Sequence, residues 1–95
     1  MSAHAEFKDG NKLLQNMNAS EYFSQGVAFG YITGVADMGQ GIVHCMPANV
    51  TVGQIHDMVK NYLTNTPAER HHTADIIVNK VLKATWPCPR RDRPA

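Results

Sequence analysis

The sequence predicts an all-α protein, a compact bundle of about four helices stapled by one disulfide. Three observations predict it. Apolar residues recur at helical spacing, no segment alternates apolar and polar residues as a half-buried strand would, and helix-capping signatures divide the chain. The staple is read from Cys45 and Cys88, the two cysteines of the chain. In a short chain that carries a trace of an export signal, such a pair reads as a disulfide. Closing a loop of that length would stabilise by about 4 kcal/mol in the chain-entropy account. Two reduced, buried thiols are the alternative.

Helix 1 is expected over residues 6–17, with Phe7, Leu13, Leu14 and Met17 on one side. Asn18-Ala19-Ser20-Glu21 reads as a capping box that starts helix 2, and Gly39 and Gly41 supply its stop. Residues 39–50, "GQGIVHCMPANV", contain Gly, Pro and Asn without a period and read as a loop. Thr51-Val52-Gly53-Gln54 is a second box, opening helix 3 to about Asn65 with Val52, Ile55, Val59, Tyr62 and Leu63 on one face. Thr66-Pro67-Ala68-Glu69 is a third, with Pro67 at the first helical position, where its missing N–H is harmless. Helix 4 continues to about Thr85, presenting Ala74, Ile77, Val78, Val81, Leu82 and Trp86, and Pro87 and Pro89 end it.

A chain of 95 residues makes one small domain, assigned to residues 6–88. A net charge of +1 leaves no electrostatic footprint for nucleic acid or for an anionic membrane surface. The basic cluster Arg90, Arg91 and Arg93 sits with Asp92 in a Pro-rich segment, 89–95, read as a solvated tail. The longest apolar stretch, 27–38, is interrupted by Thr33 and Asp37 and falls short of the ~18 residues a membrane span needs. At the other end, Ala3-His4-Ala5 in "SAHAEF" matches a signal-peptidase site with cleavage before Glu6. Residues 1–5 are therefore read as a signal-peptide remnant or an added end.

Within helix 2, Gly26, Gly30 and Gly34 lie four apart and form a bare stripe. Each costs a helix about 1 kcal/mol against alanine. The stretch is too short for a membrane seam and lacks the G-x-G-x-x-G of a phosphate loop. Close approach of a neighbouring helix is the expected compensation, with Phe23, Val27, Phe29, Tyr31, Ile32 and Val35 packing around the stripe.

Few residues invite chemistry. His71 and Asp75 share a helical face beside His72, but no HExxH, serine or second acid completes a metal or catalytic set. His44 adjoins Cys45, and a disulfide there would make thiol activation irrelevant. Asp37 sits in the apolar half of helix 2 and is expected to accept hydrogen bonds from a helix start or from segment 46–51. Asn18-Ala19-Ser20 and Asn49-Val50-Thr51 match N-x-[ST], yet each coincides with a cap. No catalytic residue, cofactor-binding residue or metal ligand is assigned.

Four stretches in register, "FGYITGVAD" (29–37), "CMPANVTVGQ" (45–54), "YLTNTPAERHH" (62–72) and "WPC" (86–88), resemble the Rap/Tai immunity proteins associated with bacterial type VI secretion. The resemblance spans residues 22–88 and marks Gly30, Gly34, Asp37, Pro47, Gln54 and Trp86 as structural motif positions. It implies a small, all-α, signal-bearing periplasmic protein, often a homodimer. Its expected task is to bind and block a peptidoglycan-cleaving effector, an amidase or muramidase delivered by neighbouring cells. Many relatives carry a further pair of cysteines, and those places are taken here by Met17, or a neighbour, and Ala28. That departure leaves a single bridge and puts close functional equivalence in question.

The sequence thus points to a non-catalytic inhibitor without a cofactor. An inhibitor needs a rigid scaffold that presents a projecting element. Loop 39–50, fastened at Cys45 and stiffened by Pro47, is the expected contact, with Ile42, Val43, His44 and Met46 as its anchors. A helix face is the competing surface. The competing function is a small periplasmic helical chaperone of the acid-stress type, for which the five histidines would supply a switch.

Overall fold

The structure is a computed structural model and describes residues 7–90. Four α-helices fold into one bundle: α1 (Gly10–Met17), α2 (Tyr22–Gly39), α3 (Val52–Asn65) and α4 (Ala74–Thr85), with one 3₁₀ turn at Pro67–Glu69. No strand is present among the described residues. The expected cleavage site, the start of helix 1 at Glu6 and the arginine-rich end of the tail lie outside them.

Local chemistry explains two of the helix starts. Asp9 caps α1 by accepting the Lys12 backbone N–H at 2.8 Å. At α3 the expected capping box is complete: Thr51 Oγ1 accepts from the Gln54 N–H, and Gln54 Oε1 accepts from the Thr51 N–H at 2.7 Å. A cap of this kind contributes about 1 kcal/mol.

The other two boxes do not form. Asn18 closes α1, its N–H donating to carbonyls of that helix, and Glu21 caps α2 without a side-chain bond to the backbone. The four residues read as a start are needed to reverse the chain between two helices. Pro67 does begin a helical turn, but a 3₁₀ one, and α4 waits until Ala74. Tertiary bonds hold the intervening residues out of the helix. Gly10 N–H donates to the His72 carbonyl, Asn11 N–H to that of Arg70, and Ala74 N–H to that of Lys8. The Arg70 guanidinium turns back to cap α3, donating to the Leu63 and Thr64 carbonyls at 2.6 and 3.1 Å.

Helix α2 packs chiefly against α1 and α4, and α3 closes the bundle against both. The core comprises Leu13 and Met17 of α1, Ala28, Ile32 and Ala36 of α2, Ile55, Val59 and Leu63 of α3, and Ala74, Ile77, Val78 and Leu82 of α4. The faces expected for α3 and α4 match this list, with Val52, Tyr62, Val81 and Trp86 half-buried at its margins. Phe7, expected on the core side, is 78 % exposed, because the chain enters α1 only at Gly10.

The glycine stripe corrects the expected packing. Gly26, Gly30 and Gly34 have nothing within 4 Å of where a Cβ would stand, and Phe23, Val27 and Phe29 beside them are exposed. Helix α2 buries the opposite side, Ala28, Ile32, Ala36 and Gly39. The close approaches occur at other glycines. A Cβ on Gly10 would meet Ile77 Cδ1 at 2.6 Å and the Arg70 carbonyl oxygen at 2.8 Å. On Gly39 it would meet His44 Nε2 at 2.7 Å and Asn79 Oδ1 at 3.0 Å.

Candidate functional site

The loop between α2 and α3 is built from the helix end outward. The Gly39 carbonyl accepts from the N–H groups of Ile42, Val43 and His44, so the chain turns back immediately after α2. Gly41 makes that turn with φ of 82°, a conformation that glycine adopts at little cost. Its N–H donates to the His44 carbonyl at 2.7 Å and closes the turn. Ile42 is left at the tip, 80 % exposed.

Beyond the tip the loop is fastened in three ways. Cys45 N–H donates to the Trp86 carbonyl at 2.8 Å, and Cys45 is bridged to Cys88, with a Cα–Cα distance of 4.8 Å. The disulfide therefore ties the loop to the end of α4, as the two cysteines suggested. The Gln40 side chain then brackets Met46, its Nε2 donating to the Met46 carbonyl at 2.9 Å and its Oε1 accepting the Met46 N–H at 3.1 Å. Gln40 was not singled out in the sequence. An amide four residues before a buried histidine gives no signal until the loop is folded.

Of the four expected contact residues, Ile42 alone is openly displayed. Val43 is half-buried, and Met46 lies half-buried against the core. His44 is fully buried, which removes it from the contact surface in this conformation. Burial also lowers its pKa from the ordinary 6.5, because the imidazolium would lose its hydration. Pro47 is exposed and accepts the Val50 N–H through its carbonyl. Asp37 is exposed and borders a cleft of about 230 Å³ that also involves Gln40, Met46, Pro47 and Val52. It lies beside segment 46–51, but solvent takes the place of the hydrogen bonds expected from that segment or from a helix start, because the carboxylate is exposed.

A second feature lies on the outer side of α2. Gly30 and Gly34 floor an open groove of about 440 Å³ flanked by Tyr31, Met38, Asp75 and Asn79. Phe23, Val27 and Met38 continue the apolar surface along the same side of the helix. Burial and the Asp75 carboxylate raise the Tyr31 pKa above its ordinary 10.0, with a hydrogen bond from the Asp75 backbone opposing them. Tyr31 therefore stays neutral at physiological pH.

The histidine pair that the sequence drew attention to assembles no site. His72 Nε2 lies 3.0 Å from Glu69 Oε1, and the His71 and His72 rings sit 4.1 Å apart on the surface. Among the described residues no three His, Cys, Asp or Glu side chains cluster to hold a metal ion. No described helix is long and apolar enough to cross a membrane.

The family model of the Rap1a immunity proteins matches residues 9–88, from the cap of α1 to the second cysteine of the disulfide. No curated protein matches the chain at a significant level.

Proposed function

Because this chain belongs to the Rap1a immunity protein family, we propose that it is a non-catalytic periplasmic inhibitor of a peptidoglycan-cleaving effector delivered by type VI secretion. In this reading the effector is an amidase or muramidase, and the tip of loop 39–50 fills its substrate cleft. The observation that carries it is the display of Ile42. A large apolar side chain is held 80 % exposed on a turn fastened by a disulfide and by Gln40. A loop ordered before binding loses little conformational entropy on docking, which favours tight inhibition. An apolar anchor entering a desolvated pocket is the usual source of a dominant contact.

Ile42→Asp tests the reading. Since Ile42 makes no contribution to the core, the variant is expected to melt like the wild type. It is expected to lose at least about tenfold in affinity for the hydrolase that it blocks, as measured by titration calorimetry. Undiminished inhibition would move the contact to a helix face. The outer side of α2 then becomes the first surface to test, and it is also where we place the homodimer contact. The helix carries no formal charge between Tyr22 and Ala36, so two copies can meet there on apolar surface, with Asp75 at the flank of the groove as a charge to accommodate. If no cell-wall hydrolase binds and the protein instead suppresses aggregation of clients in acid, the chaperone function replaces this one.

A further inference from the structure

We propose that His44 is an acid-sensitive latch on loop 39–50, holding the loop closed as a neutral imidazole and releasing it, still tethered by the disulfide, when it takes up a proton. The proposal concerns the loop itself and stands whatever the loop binds.

The geometry carries it. His44 is fully buried, and it is the one polar or charged side chain so enclosed among the described residues. It lies where three elements meet: the last residue of α2, the loop, and α4. A Cβ on Gly39 would stand 2.7 Å from His44 Nε2 and 3.0 Å from Asn79 Oδ1, so the ring fits only against a residue without a side chain. His44 Nδ1, His44 Nε2 and Asn79 Oδ1 are all buried without a hydrogen-bond partner. A neutral imidazole brings one N–H donor and one acceptor into that site. The imidazolium brings two donors and a full charge, and Asn79 Oδ1 is the one buried side-chain oxygen without a partner among the described residues.

Nothing charged stands ready to offset the cation. The loop itself has no acidic or basic residue other than His44. The charged and histidine side chains of the helices packed against it and of the tail are Asp37 on α2, His56, Asp57 and Lys60 on α3, Asp75, Lys80 and Lys83 on α4, and Arg90 after the disulfide; His56 and Lys60 are half-buried and the others exposed. Burial is the cause of the lowered His44 pKa, with no charge contributing. The sign follows. Once the loop is open and His44 solvated, the ring binds a proton at about 6.5, whereas the closed form does not. As pH falls below about 6.5 the open form is favoured, by up to about tenfold for each pH unit, until the pH at which the buried ring is itself protonated.

The loop, rather than the whole fold, is what gives way. Besides the turn bonds to Gly39 and the packing of Met46 and Val50 on the core, its ties are the exposed Gln40 bracket on Met46 and the Cys45 N–H bond to Trp86, while the disulfide stops the segment from leaving. His44 approaches α4 at Asn79, which is half-buried.

Amide hydrogen exchange measured by NMR between about pH 7.5 and about pH 5, corrected for intrinsic rates, tests the latch. The Val43 and Cys45 N–H groups, bonded to Gly39 and Trp86, are the reporters, and Val59 and Leu63 in α3 are the reference. Expected is a growing opening constant for the loop amides below about pH 6.5, steady protection in α3, and no such trend in His44→Gln. Loop protection that is independent of pH would overturn the proposal. So would equal loss at Val59 and Leu63, since His44 would then govern the whole fold. Should His44→Gln fail to fold, the ring proton resonances of His44 in the wild type decide: titration below 6.5 supports the latch, and titration at or above it overturns it.

Discussion

Along one side of α2 run Ala28, Ile32, Ala36 and Gly39, all buried; along the other run Phe23, Val27, Gly30, Gly34 and Met38, all exposed. Both sides are apolar, and both contain glycine. They differ in what stands opposite. At Gly39 the loop and α4 press His44 and Asn79 into the volume a Cβ would occupy, whereas Gly30 and Gly34 face open space. A small residue in a helix therefore marks a close contact only when another element is positioned to use the space. On the outer side of α2 no such element stands over Gly30 and Gly34 among the described residues.

The comparison can be broken most directly at Gly39. Gly39→Leu is expected to destabilise by about 3 kcal/mol or more, because neither the buried His44 ring nor Asn79 can withdraw without opening the loop. Gly10→Ala belongs to the same class at about 1–3 kcal/mol, since its Cβ would press on the Arg70 carbonyl, which is held by the Asn11 N–H. Gly30→Leu, by contrast, is expected not to lower the midpoint of urea unfolding, since a Cβ meets nothing there and leucine favours a helix over glycine. Equal losses at Gly30 and Gly39 would erase the distinction between the two sides.

A smaller effect of opposite sign sharpens it. Gly30→Ala should stabilise by about 0.5–1 kcal/mol, because alanine restricts the unfolded chain and meets nothing in the fold. If the outer side also joins two copies, Gly30→Leu should lower the mass seen in sedimentation equilibrium while the fold persists.

The smallest effect concerns Tyr31, at the flank between the two sides. Its pKa is raised in the fold, so the unfolded chain ionises first as pH rises past 10.0. Stability therefore falls above about pH 10 until the folded phenol ionises as well. Thermal melts in this range should show the wild type losing more stability than Tyr31→Phe. A variant that loses as much as the wild type would place Tyr31 in solvent and weaken the description of the groove.

Much of the fold was decided within the sequence. The period of α3 and α4 named their buried faces because each helix has one polar side and one apolar side. The Thr51–Gln54 box formed as written because both of its bonds are local. Cys45 and Cys88 had no other partners to choose. The loop and the display of Ile42 at a glycine turn were likewise within reach, since Gly41 and Pro47 exclude regular structure.

What only the tertiary structure decided were choices between local options of similar energy. Helix α2 is apolar nearly all round, so its sequence period could not say which side would be buried. The Asn18 and Thr66 boxes were locally sound, but the turn between α1 and α2 and the pairing of residues 8–11 with 70–74 claimed those residues instead. His44 looked like a surface anchor because it follows Ile42 and Val43; it is buried because Gly39 and Asn79, five residues before it and 35 after it, form its walls. Contacts across such separations carry no local signature, because their free energy is gained only after the chain has closed the loops that bring them together.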